Sequence, residues 1–329
     1  MDEDSVLFAV RNLFALGNYQ IAINELSTSN RLLQSPEAQL EAKIYLYRSY
    51  VGQGKYNVVI SDVADQDPAE LQAIKLLAVY LQAKDKGNAA VVEQAVSSST
   101  ALLSDGANNV NPTIQLTSAT ILTNEGFQEE ALKVLHIRGK SLECAALAIQ
   151  IYIQMDRVDL ARKEVANVKS WADDALLAQL LEAWVDLRIG GDKYQDAFYI
   201  FEEFAQSNTS ATVKLLNNLA VSNLALGRYP EAESHLMEAV SKVKCRNMGN
   251  MLRMYNMHLN ISLGELQDSN DADTLVNLIV CSNLTAKPAD VVNRYVSQLR
   301  EVAPQHAFLQ DLDLKSSLFD RSAARYAVA

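Results

Sequence analysis

The chain has little of what punctuates a β-fold: 12 glycines and 6 prolines in 329 residues. That shortage excludes an architecture of many short strands joined by Gly- and Pro-rich turns. Cysteine is equally scarce. Cys144, Cys245 and Cys281 are too few and too far apart for a disulfide framework. None sits in a CxxC or beside a histidine at zinc-ligand spacing, so buried thiols in a reducing compartment are expected. No apolar run approaches the roughly 18 residues a spanning helix needs. The opening MDEDSVLF is acidic where a secretory leader would be basic, so the expected location is cytosolic. Basic charge is also lacking: 29 Lys and Arg stand against 40 Asp and Glu, for a formal charge of −11, and the cations are scattered. A nucleic-acid partner is thereby excluded, and a basic or zwitterionic protein partner fits better.

What is present is a 49% apolar chain with an internal period, the signal that decides fold class when it exists. The clearest copy runs from Val213 to Lys244. Leu216, Leu219 and Ala220 stripe a first helix, Gly227-Arg228-Tyr229-Pro230 turns the chain, and Ala232, Leu236 and Ala239 stripe a second. Gly227 can take the left-handed conformation that ends a helix, and Pro230 suits the first turn of the next. Ala220 and Ala232 are small where two antiparallel helices would cross. With Ala232 as marker, the same position recurs at Ala22, Val59, Ala95, Ala131, Ala161 and Ala197, at spacings of 37, 36, 36, 30, 36 and 35. Turn signals precede the markers in Gly17-Asn18-Tyr19, Gly54-Lys55-Tyr56, Glu125-Gly126-Phe127 and Gly190-Gly191. The third copy is the weakest, because Lys84 to Asn88 is polar and its second helix runs into Ser97-Ser98-Ser99.

The expected fold is all-α: a right-handed α-solenoid of tetratricopeptide-like hairpins, since such hairpins cannot bury their apolar faces alone and must stack. A single solenoid over residues 1–329 is expected, with about eight hairpins in 3–242 and 268–304 and a capping segment at 305–329. After Ala232 the next marker position falls near Val291, 59 residues on. The surplus maps to residues 243–266, which hold four of the seven methionines and read equally as an extra helix or as a loop inserted outside the core.

Chemistry-bearing patterns are sparse. His136, His235, His258 and His306 include no helical i, i+4 pair, and Cys144 has no histidine in local register. Gly190-Gly191 lacks the preceding strand of a phosphate-cradling loop. Trp171, Trp184 and the Tyr45, Tyr47, Tyr50 cluster read as packing between hairpins. The sequons at Asn208, Asn260 and Asn283 read as compositional accidents. No residue is assigned a catalytic, cofactor-binding or metal role. A sharper alternative is a co-chaperone or adaptor module in which Lys214, Asn217 and Asn218, on the inner side of a first helix, clamp a peptide C-terminus. Only this repeat supplies such donors.

Several blocks resemble the coatomer epsilon family. They are LQAIKLLAVYL at Leu71 to Leu81, IQIYIQMDRVDLARKEV at Ile149 to Val165, AWVDLRIGGDKYQDAFYIFEEF at Ala183 to Phe204, DADTLVNLIVCSNLTAKP at Asp271 to Pro288, and RYVSQLREVAPQHAFLQDLDLKSSLFDRSAARY at Arg294 to Tyr326. The last block, with Ser297-Gln298-Leu299, Pro304-Gln305-His306 and Phe319-Asp320, is not required by the repeat and carries the specificity. The resemblance implies a non-enzymatic coat subunit, without cofactor or small-molecule ligand. It implies that this subunit holds the C-terminal domain of the coatomer alpha subunit within its solenoid, alongside other coatomer subunits. It further implies retrograde Golgi-to-ER and intra-Golgi transport, and a cytoplasmic protein peripheral on Golgi membranes and COPI-coated vesicles, meeting the membrane only through the coat. The surplus at 243–266 departs from the family pattern.

Overall fold

A computed structural model describes residues 3–104, 106, 108–136, 141–207, 211–255, 271–304 and 306–326, with the backbone path alone for 243–255. Among these residues the chain is helical throughout, apart from turns and two single 3-10 turns, and divides into two compact units, Met1–Ile189 and Gly190–Ala329. The first unit holds α1 (Glu3–Ala15), α2 (Tyr19–Thr28), α3 (Pro36–Gly52), α4 (Tyr56–Asp62), α5 (Ala69–Asp85), α6 (Ala89–Ser104), α7 (Pro112–Asn124), α8 (Gln128–Leu135), α9 (Leu142–Gln154), α10 (Val158–Ala172) and α11 (Leu176–Ile189). The second holds α12 (Lys193–Ser207), α13 (Val213–Ala225), α14 (Tyr229–Tyr255), α15 (Ala272–Leu284), α16 (Ala289–Val302) and α17 (Ala307–Tyr326).

The hairpins are made by one turn used repeatedly. After α1 the chain takes a positive φ at Gly17, whose N–H donates to the Phe14 carbonyl, while the next N–H, of Asn18, reaches back to Leu13. This pair of bonds satisfies carbonyls that the helix end leaves open. The same two bonds recur at Gly54, Gly87, Gly126 and Asp156 in the first unit and at Gly227 and Ala286 in the second. The two non-glycine members hold φ of 59° and 49°. The opposite end of a hairpin uses different chemistry. Ser35, Asn111, Ser141, Thr212 and Asp271 each accept a backbone N–H at the start of a first helix.

All seven marker residues, Ala22, Val59, Ala95, Ala131, Ala161, Ala197 and Ala232, are buried. The third register is refined: the turn at Gly87 puts Val92, not Ala95, at the position hydrogen-bonded as Ala22, Ala131 and Ala232 are. Ala95, one helical turn later, takes over the burial because Val92 stays half-exposed. Core clusters follow one rule, in which a first helix, its second helix and the next first helix share one cluster. Ala119, Ala131 and Ala148 meet this way across α7, α8 and α9, and Ala220, Leu236 and Leu278 across α13, α14 and α15. Among the described residues each of these clusters draws on more than one hairpin, which is why the hairpins stack. Of the segment 243–266, residues up to Tyr255 continue α14, and the rest lies outside the described residues.

Candidate interaction surfaces

Stacking leaves the first helices of the first unit facing one another, and there charge gathers. Glu143, in the first turn of α9, bonds Arg48 of α3 through Oε2 at 2.8 Å and accepts from the Tyr45 hydroxyl through Oε1 at 3.2 Å. The Arg48 guanidinium lies over the Phe14 ring of α1, 4.6 Å from its centroid, and over Tyr45 at 5.2 Å. Arg11 of α1 pairs with Glu41 of α3 at 2.6 Å. The Arg48 side chain is 11% exposed and that of Glu143 31%. Burial by itself would weaken the Arg48 charge, and the Glu143 carboxylate more than offsets it, so the guanidinium pKa ends above its usual value. Burial, then the Glu143 charge, pushes the Tyr45 hydroxyl up as well. Residues 95 apart are thus joined, and α1 also lies against α11. The array of this unit closes on itself.

In the second unit the corresponding layer is built on amides and a hydroxyl around the Asp271 carboxylate. The Asn217 amide of α13 donates to Thr274 Oγ1 at 2.8 Å, to Asp271 at 3.2 Å and to the Val213 carbonyl at 3.1 Å, and its oxygen accepts from Asn277 at 3.0 Å. For Asn217 the clamp reading is therefore corrected. Asn217 is buried and spent on docking α15 against α13, so its amide cannot serve as an open donor for a carboxylate. A groove of about 440 Å³ lies between α12, α13 and α14, floored by Phe198, Leu216 and Leu219 and edged by Glu202, His235 and Glu238.

The other residues singled out in the sequence are placed as follows. Cys144 and Cys281 are buried thiols, each raised in pKa by burial first. His136 bonds the Tyr152 hydroxyl at 3.0 Å, and His306 accepts the Phe308 N–H at 3.2 Å. His258, Asn208, Asn260 and the Cys245 side chain lie outside the described residues. Trp171 and Trp184 pack on the α9–α10–α11 cluster, and Tyr47 and Tyr50 on that of α3–α4–α5. Tyr45 packs on Phe14, ring centroids 5.5 Å apart, and sends its hydroxyl to Glu143. Among the described residues no cluster of three His, Cys, Asp or Glu could hold a metal ion, and no helix is long and apolar enough to cross a membrane. Sequence reasoning missed the Arg48–Glu143 pair, for which local spacing offers no signal.

Repeated hairpins and shared core clusters define a class: a helical-repeat array of the tetratricopeptide type. Solved structures agree on the fold. A tetratricopeptide repeat protein from Parabacteroides merdae is 14% identical, with a TM-score of 0.52 over 91% of this chain and 97% of that one. The APC/C hetero-tetramer Cut9-Hcn1 is 14% identical, with a TM-score of 0.57 over 93% of this chain and 54% of that one. The profile of the coatomer epsilon subunit matches residues 3–260 and 256–327. Coatomer subunit epsilon-1 of Oryza sativa subsp. japonica is 35% identical, covering 98% of each chain, and coatomer subunit epsilon of Dictyostelium discoideum is 32% identical over 98% of this chain and 99% of its own. The chain belongs to the coatomer epsilon-subunit family, and is a structural subunit of the COPI coat.

Proposed function

We propose that the chain is a non-catalytic scaffold that binds and stabilises the coatomer alpha subunit, holding its C-terminal domain within the solenoid, in retrograde Golgi-to-ER and intra-Golgi transport. It acts from the cytoplasm and reaches Golgi membranes and vesicles through the coat. The observation that carries this reading is the family match, which runs along nearly the whole chain with few residues left for a different role. The single-solenoid organisation over 1–329, with 243–266 outside its core, belongs to the same proposal.

The test is to mix the purified chain with the isolated alpha C-terminal domain. A stoichiometric complex on gel filtration, with a raised melting temperature for this chain, is expected. Saturable binding of free C-terminal peptides, with no complex formed with the folded domain, would overturn it in favour of the adaptor reading. Deleting 243–266 should leave both the complex and the melting transition intact.

A further inference from the structure

The first helices of the first unit face one another, and in a curved repeat array that is the face on which a partner is received. Here the chain's own side chains already span it. Glu143 of α9 reaches across to Arg48 and to the Tyr45 hydroxyl of α3, at 2.8 and 3.2 Å, and α1 lies against α11. Because α3 and α9 belong to hairpins three apart, the bridge is not a by-product of neighbours stacking. Its two ends are held unequally. Arg48 is fixed on its own side by the Phe14 ring at 4.6 Å and the Tyr45 ring at 5.2 Å, and its side chain is 11% exposed. Glu143 is 31% exposed and stands in the first turn of α9, where the Ser141 side chain caps the helix. When the bridge parts, the cation keeps its rings, and the carboxylate keeps water and the positive end of a helix. A contact that spans the receiving face, and whose partners both stay accommodated when it breaks, can open and close.

We propose that the Arg48–Glu143 bridge is an autoinhibitory latch. It holds the first helices of the first unit together across the face a partner occupies, and docking proceeds from the molecules in which α9 has let go of α3. This inference rests on the reading that the alpha C-terminal domain is held within the solenoid, and adds how access to that face is controlled. The apparent affinity is reduced by the closed fraction. Removing the carboxylate therefore destabilises the free chain and yet tightens binding. A bridge that only shaped the docking face would do the reverse.

The test titrates the full chain with the isolated alpha C-terminal domain in a calorimeter. Glu143→Gln should bind about fivefold tighter than wild type or better, with the gain shrinking as salt loosens the wild-type bridge. Glu182→Gln removes one carboxylate equally, from a pair with Lys169 at 2.7 Å that joins the consecutive helices α10 and α11, and should bind as wild type does. Where Glu143→Gln does not melt cooperatively, Glu143→Asp carries the test: it keeps the charge but draws it back by one methylene, and should shift affinity the same way by less. Amide hydrogen exchange of the free chains is the second readout, and should quicken in α1 and α11 of Glu143→Gln. Unchanged or weaker binding by the Glu143 variant, an equal gain in Glu182→Gln, or unchanged exchange would each overturn the latch and leave the function proposed above standing. Absence of binding by wild type and the Glu143 variant alike would instead overturn that function, and the latch with it.

Discussion

The first unit ties hairpins far apart in the chain through an ion pair, whereas the polar contacts of the second tie neighbouring hairpins. In the first, Arg48 and Glu143 bridge α3 and α9, three hairpins apart, with aromatic rings around the cation. In the second, Asn217, Thr274 and Asn277 stitch α13 to α15, which are consecutive first helices. Nearest-neighbour stacking is what a solenoid does by default, so this network adds register without changing path. The ion pair does something nearest-neighbour stacking does not: it ties α3 to α9, three hairpins on.

The comparison breaks most visibly if one partner of the buried pair is removed. Glu143→Ala leaves Arg48 among two rings with no carboxylate, and should cost about 2–3 kcal/mol. That is less than the ~3–5 kcal/mol of a fully buried pair, because Glu143 keeps some contact with water. Urea unfolding would measure it, and hydrogen exchange should rise in α1 and α11, far along the chain from the substitution. A loss of about 0.5 kcal/mol or less would mean that the pair behaves as a surface ion pair and does not close the unit.

Next comes a packing test that should be indifferent to the charge. Ala232 is fully buried among Ala220, Leu236, Leu278 and Cys281, so Ala232→Leu should overpack the crossing at a cost of about 1–3 kcal/mol, while the exposed Glu231→Gln beside it stays near zero. Asn217→Leu sharpens the contrast from the second unit. It orphans the Asn277 amide and one Thr274 bond for about 1–2 kcal/mol, and exchange should rise in α13 and α15 but not in α1 or α11.

Much of this was legible in the sequence because a repeat writes the same physics several times. The crossing alanines and the turn glycines are each dictated by their own few neighbours, so spacing alone exposes them. Val92 and Ala95 show where that stops. The turn sets one register and burial another, and sequence spacing sees only the small buried residue. Glu143 and Arg48 are legible nowhere, since each is an ordinary polar residue on a helix until stacking brings α9 to α3. Asn217 misled for a related reason: an amide on an inner helix face looks like an open donor until α15, supplied by chain more than fifty residues on, takes its bonds.

The smallest effect tests the element both units share. Gly227 and Ala286 end α13 and α15 with the same pair of backbone bonds, at φ of 74° and 49°. An alanine in this conformation brings its Cβ close to the following carbonyl, a cost of about 1–2 kcal/mol. Replacing it with glycine returns that strain but gives the unfolded chain about 0.5–1 kcal/mol more freedom. Ala286 is exposed, so its methyl has little packing to lose, and the balance favours Ala286→Gly by about 0.5 kcal/mol. The reverse change, Gly227→Ala, has open space around the new methyl, so the same two terms apply with opposite sign and it should lose about 0.5 kcal/mol. Melting curves of the two variants should move in opposite directions, by about 1–2 °C upward for the first. Movement in the same direction would show that the turns after α13 and α15 are not energetically equivalent, and that Ala286 is held by contacts rather than tolerated.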